Sequence, residues 1–397
     1  MAPNHSEVSV QLFHQQRYHA FDALRVTIML VVVACHSALN YIVTPLAFYP
    51  HKESSTSVIV ENIWQFIQPI KSMPAFFMLS GFFAALLCVR MGRYAMLLNR
   101  FKRLVLPFIV FWFLLLISGL LVFLLTQHLR VYSSWGIDAD FLIEQLHNIA
   151  RLKSINSLTT GHLWFLYYLI ILYMLLVPIM MLLDFFSWLP IALNKIVTIL
   201  LTHPLGILVL CIPVFLVGYG FPEGVVTPNM SFIPALNQIV FYGVFFVTGW
   251  YLYKNQHILN VYQRHWFIYA VLAVFFSIAA RYCVVSTGGT HHILYLGAFA
   301  NMATWLTVFA LIGGYMRFFS HDSAVIRYLA DTSFWVYLVH FRFVLLFAGL
   351  LQAYSWPAEI KCLLVIVFTL TACFCSYHYC VRRTFIGRFL HGKVHAG

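Results

Sequence analysis

The stretch Phe21–Tyr41, FDALRVTIMLVVVACHSALNY, decides the fold. A bilayer crossing takes about 20 mostly apolar residues, and this run supplies them. It nevertheless carries Arg25 and His36. Ionisable side chains at membrane depth are costly, and such residues are functional candidates by default. The two are eleven positions apart, and eleven helical steps of about 100° return almost to the starting direction. Both therefore project from one face, ~16 Å apart along the axis. Asp22 lies one turn before Arg25 and is placed to pair with it. Histidine is the natural general base near neutral pH, so the stripe reads as a base at one end and an anion anchor at the other. A snorkelling arginine and a hydrogen-bonded interior histidine account for the same pair without chemistry.

Outward from this run, nine further apolar stretches follow: 58–89, 104–126, 163–183, 204–220, 232–253, 265–286, 293–316, 333–353 and 359–381. With 21–43 they predict an all-α polytopic bundle of about ten transmembrane helices. The second stretch is too long for one crossing and contains Pro69, Lys71 and Pro74, so it is expected to be kinked or broken. The weaker stretch 188–201 holds Asn194 and Lys195 and reads as an interfacial helix. Residues 1–20 form a short N-terminal segment without the pattern of a cleavable signal. Residues 21–381 are the transmembrane domain, and 382–397 a basic tail.

Composition agrees. Of 397 residues 62% are hydrophobic and 9% charged, where a soluble domain has about 25% charged. That excludes a soluble globular enzyme, a disordered chain and a disulfide-stapled module. The net charge of +12 would point to nucleic acid in a soluble protein. Here the basic residues are scattered between apolar spans, and no nucleic-acid partner is expected. Sixteen Lys and Arg fall on the side of the termini and five on the other. The positive-inside rule then places both termini in the cytoplasm, as for a multi-pass protein of the cell inner (plasma) membrane. The eight cysteines lie in or beside apolar runs and give neither a disulfide framework nor a metal site.

Further residues join the stripe. Arg100 and Arg103 in NRFKRLVLP form a cation cluster at the same side as Arg25, suited to phosphates or simply to stopping translocation. Lys71 stands at membrane depth just before Pro74, in KSMPAFFMLSGFF, where Ser80 and Gly81 permit close helix approach. GHLWFL opens the fourth span at the opposite surface, where His162 and Trp164 face an acceptor or an aromatic belt. SFWVYLVHF places His340 in the ninth span, as a satisfied interhelical histidine.

Taken in order, Arg25-x10-His36, KSMPAFFMLSGFF, Arg100-x-x-Arg103 before Pro107, GHLWFL and SFWVYLVHF resemble the acyltransferase-3 family of integral-membrane sugar O-acyltransferases. The likeness runs over roughly 17–390. Within the family the pattern is nearest the branch of glucan biosynthesis protein C, which succinylates periplasmic glucans, although Lys71 stands where that branch has arginine. The resemblance implies acyl transfer from cytoplasmic acyl-CoA, acetyl-CoA or succinyl-CoA, to a hydroxyl of an envelope glycan, with no tightly bound cofactor. It implies His36 as the catalytic residue with Arg25 in the same motif, and Arg100 and Arg103 in the donor-binding motif. Lys71 is then expected on the donor side, and His162 and Trp164 on the acceptor side. Ser80, Gly81 and His340 are structural neighbours of the site. The competing class is a transporter or flippase without acyl chemistry, for which broken helices and membrane-depth cations are also suited.

Overall fold

The computed structural model describes residues 18–44, 55–67, 73–132, 140–141, 143, 147, 159–203, 205–219, 221, 224–285 and 292–391. The elements are α1 (His19–Ala38), α2 (Val58–Ile67), α3 (Met73–Met91), α4 (Arg93–Arg100), α5 (Leu106–Tyr132), α6 (Trp164–Phe185) and α7 (Trp188–Thr202). They continue with α8 (Gly206–Gly218), α9 (Leu236–Lys254), α10 (Ile258–Val285), α11 (His292–Phe318), α12 (Ala324–Leu351), α13 (Ala358–Ser376) and α14 (Phe385–His391). Among the described residues β-type pairing is confined to an isolated bridge between Thr159 and Ser231. The protein is an all-α polytopic membrane protein.

The surface explains why this bundle requires a bilayer. On α10, Ile268, Val271, Phe275, Ile278 and Tyr282 recur at steps of three and four, and all are exposed. That spacing makes one continuous apolar stripe, which water would not tolerate at this size. The burial of the spans sorts core from rim: 67% of the α1 and α11 spans is buried against 6% of α10. α1 is therefore the central post, contacting α11, α12 and α13.

Among the described residues eight segments are long and apolar enough to cross a membrane, against the ten expected. The difference has identifiable causes. The 204–220 run yields α8, whose 13 residues are too short alone. α8 is set at 108° to α7, and the two make a ninth crossing only if the bent pair is one span. The 232–253 run yields α9, which is 19 residues long but carries Asn237 and Gln238 and is packed inside the bundle against α3. The 58–89 run is divided into α2 and α3. Pro74, expected to kink a span, instead occupies the first turn of α3, where its missing N–H leaves no helical bond unmade. Pro69 and Lys71 lie outside the described residues.

Two short devices place the elements around α1. Glu61 of α2 accepts hydrogen bonds from Thr44 Oγ1 (2.6 Å) and from the backbone N–H groups of Val43 (3.0 Å) and Thr44 (3.2 Å). The Thr44 hydroxyl in particular holds the Glu61 carboxyl below the usual carboxylate range. This ties α2 to the segment leaving α1. Between α3 and α9 the approach is closer. A Cβ on Gly81 would overlap the Phe246 carbonyl oxygen, and one on Gly249 would overlap the Met78 carbonyl oxygen. The contact is reciprocal and backbone to backbone, as small residues allow between membrane helices.

Gly→Ala in a helix ordinarily gains up to about 1 kcal/mol. At Gly81 and Gly249 the sign should reverse, because a carbonyl oxygen has no rotamer by which to yield, and the cost should reach about 3 kcal/mol or more. Gly314, whose nearest neighbour is the Trp266 ring at 3.5 Å, should accept alanine without loss. Thermal melts followed by gel filtration in detergent check the contrast.

Candidate active site

One end of the bundle gathers charge. The N-terminal ends of α1 and α12 and the C-terminal ends of α3 and α4 meet there. They line a cavity of about 540 Å³ with Asp22, Arg25, Arg90, Arg100 and Asp331. Arg25 Nη1 lies 3.6 Å from Asp22 Oδ1, the i,i+3 pair anticipated in the sequence. Arg100 sits with its Cζ 5.5 Å from the centroid of the Tyr173 ring. Its Nε is buried with no hydrogen-bond partner among the described residues. Tyr173 in turn donates to the Ser80 carbonyl at 3.3 Å, joining α6 to α3 beneath the guanidinium. A cation held over an aromatic face with a donor unused is prepared for an anion. Nearby, Arg93 is paired with Asp184 in a two-pronged bond, so that arginine is committed elsewhere.

From this charged end the cavity narrows in polarity. Met29, Val32, Phe76, Leu79, Phe165 and Leu169 form its apolar middle. Its far end is lined by Tyr337 and His340 of α12. Beyond His340 stands His36 of α1, with His36 Nδ1 2.9 Å from His340 Nε2. The two rings are nearly coplanar, 9° apart, with centroids at 5.1 Å. His162 completes the cluster at 5.4 Å from the His340 ring, edge to face. Its Nε2 donates to the Leu338 carbonyl at 3.0 Å, and its own carbonyl accepts from the Tyr337 hydroxyl at 3.1 Å. Phe341 stacks on His162 at 5.2 Å and meets the edge of His36 at 5.3 Å. No group of three His, Cys, Asp or Glu among the described residues is disposed to hold a metal ion.

The structure brings together most of the residues singled out from sequence. Arg25, Arg100, Ser80 and His340 line the cavity, and His36 is bonded to its far wall. His340 is satisfied between helices, as expected. Arg103, His162 and Trp164 are placed otherwise than expected. Arg103 does not line the cavity. It falls in the π-helical turn Phe101–Val105, which precedes Pro107, and the wider turn carries it round from Arg100's direction. Proline here lacks an N–H and its ring crowds the preceding turn, which accounts for the widening. His162 and Trp164, expected at an open surface, are each only 7% exposed. Trp164 packs against Tyr242 at 5.5 Å, as a core aromatic rather than a docking one. Gly81 serves the α3–α9 crossing and not the cavity. Lys71 lies outside the described residues.

Sequence reasoning missed Arg90, Asp331 and Tyr337. In the sequence Arg90 is one of the sixteen basic residues on the side of the termini, with nothing local to set it apart. Ser333, Tyr337 and His340 stand at i, i+4 and i+7, a spacing that puts all three on one helix face and that was open to inspection.

A model of the acyltransferase domain family matches residues 18–378. Searches of curated proteins and of solved structures return no match. The matched region begins at Tyr18, at the mouth of the cavity, and contains every helix that lines it, so the polar stripe of α1 and the arginines facing it lie inside the family's own domain. The chain belongs to the acyltransferase-3 family: it is a membrane acyltransferase, acting on groups other than aminoacyl.

Proposed function

We propose that this enzyme moves an acetyl or succinyl group from cytoplasmic acyl-CoA to a hydroxyl of an envelope glycan, with His36 as general base. One observation carries the reading: a single cavity has three guanidinium groups at one end and, at the other, His340, which is hydrogen-bonded to His36 behind it. Phosphates of the donor suit Arg25, Arg90 and Arg100, and its flexible arm suits the apolar middle. The span from Arg25 to His36, ~16 Å by helical rise, sets the thioester at the histidine end. Arg103, which is not on the cavity wall, then belongs to the approach of the donor. The acceptor enters from the face opposite the arginines. His162 helps by holding Phe341 and Tyr337 rather than by touching sugar, and Trp164 by packing.

The reaction follows from these positions. His36 Nε2 takes the proton of the glycan hydroxyl as its oxygen attacks the thioester carbonyl. The C–O bond forms, the C–S bond breaks, and the departing thiolate recovers the proton from the imidazolium. Direct transfer needs no acyl-enzyme on Ser80. The glucan-succinylating branch is the favoured assignment within the family, resting on the motif order alone. The cytoplasmic placement of both termini and of the arginine end rests on the distribution of Lys and Arg.

Purified protein given radiolabelled acyl-CoA and envelope glycan should transfer label. His36→Ala should lower kcat by about 10²–10⁴-fold while donor binding survives. Arg100→Ala should raise the donor KM about 10- to 150-fold, the equivalent of one charge-assisted contact of about 1.5–3 kcal/mol, and leave the glycan KM unchanged. Absence of label transfer by folded parental protein would instead favour transport of a glycan or donor.

In a single-cysteine background, Ala95→Cys should react only with a membrane-permeant maleimide and Asp140→Cys with an impermeant one applied outside. The reverse pattern would invert the orientation.

A further inference from the structure

His340 lines the cavity and His36 does not, yet the hydrogen-bond geometry gives them unequal roles. We propose that His340 is a positioning residue that fixes His36 in the one neutral tautomer able to act as a base. The inference rests on the reading of His36 as general base and extends it.

The argument runs from the backbone of α12 outward. His340 Nδ1 is 2.9 Å from the carbonyl oxygen of Val336 and 2.9 Å from that of Tyr337. A carbonyl only accepts, so Nδ1 carries the hydrogen and shares it between the two. His340 is 1% exposed, and an imidazolium buried without a carboxylate bonded to it would be costly. In the neutral ring a hydrogen on Nδ1 leaves the lone pair on Nε2. That lone pair faces His36 Nδ1 at 2.9 Å, so His36 Nδ1 is the donor. The lone pair of His36 then resides on Nε2, the nitrogen turned away from His340. Two bonds in series thus convert the fixed polarity of a helix backbone into the tautomer of a side chain on another helix.

The same geometry excludes the reversed assignment. His340 faces the donor cavity, but its lone pair is spent on His36 and its hydrogen on α12, so it has no means of taking a proton from an acceptor. The near coplanarity of the rings brings the His36 N–H and the His340 lone pair into one plane. Phe341, against the edge of His36, limits rotation from the other side. Once His36 has taken a proton, its Nδ1–H becomes a charge-assisted donor to His340, so the same bond strengthens as the reaction proceeds. A base held in the wrong tautomer loses orders of magnitude in rate even when its geometry is intact.

The test compares His36→Ala, His340→Met and His340→Gln in the purified full-length protein, with kcat and donor KM measured separately. Met and Gln have similar shape, but only Gln offers an oxygen where His340 presents Nε2. His340→Met should lower kcat about 100-fold or more with donor KM within about twofold. His340→Gln should recover at least about tenfold of that loss. Parental kcat in His340→Met, or Gln no better than Met, overturns the positioning role while an inactive His36→Ala keeps the base assignment standing. An active, folded His36→Ala overturns the base assignment itself. Should His340→Met fail to fold, nitrogen-15 histidine spectra of the parental protein decide. The resonance lost in His36→Ala should report a hydrogen on Nδ1, and a hydrogen on Nε2 overturns the proposal.

Discussion

Hydrocarbon cannot solvate a charge, and nearly every feature of this molecule answers to that constraint. A guanidinium or an imidazole within the bilayer must face protein, water or a ligand. Arg25, Arg90 and Arg100 answer by converging on one cavity, each delivered by a different helix. α10 answers in the opposite sense, presenting a continuous apolar stripe to lipid. The helix with the most to hide, α1, accordingly shares with α11 the largest buried share among the described spans. Once α1 is central, its polar face has to look into whatever space its neighbours leave.

How much space they leave is settled by backbone contacts. Gly81 and Gly249 let α3 and α9 meet at van der Waals distance of their carbonyls, which no larger residue permits. The crossing carries the C-terminal end of α3, with Arg90, toward the start of α1. The Pro107-linked π turn acts in the same region by separating two arginines that a regular helix would keep on neighbouring directions. Arg100 is left over Tyr173 on the cavity wall, and Arg103 is not on that wall. Packing geometry, more than the choice of charged residues, thus decides which cations see the cavity.

This is also where sequence legibility divides. The all-α bundle, the Arg25–Asp22 pair and the interhelical place of His340 were readable, because each depends on helical periodicity or on the cost of burying charge. The number of crossings was read less well. Apolar runs do not disclose that α8 is short and sharply set against α7, nor that α9 is enclosed and so can carry Asn237 and Gln238. Arg90 was legible only as a charge, since nothing local says that α3 ends beside α1. Arg103 and Trp164 were misplaced for related reasons. A π turn and a buried aromatic are tertiary outcomes, and a motif's residue types do not show which way each side chain is aimed. The His36–His340 bond joins residues 304 positions apart, and no spacing rule reaches that far.

The asymmetry of the cavity carries the last step. On the proposed reading the two substrates reside on opposite sides of a membrane, and the site must let neither one pass through. Here the arginine end is polar and the middle is lined by Met29, Val32, Phe76 and Phe165, an apolar stretch that a thioester arm can enter but a hydrated glycan would leave at heavy desolvation cost. At the other limit, His340 on the cavity wall is bonded to His36, and the Phe341 ring stands against His36. In the proposed reaction the bulky, charged part of the donor would be held at the entrance, and only its slender reactive end would reach the histidines. A hydroxyl arriving from the far side need cover no more than the depth of His36 itself. On the reading of His36 as base, the barrier and the active site are then the same few residues, so selectivity against leakage and alignment for transfer are met by one arrangement.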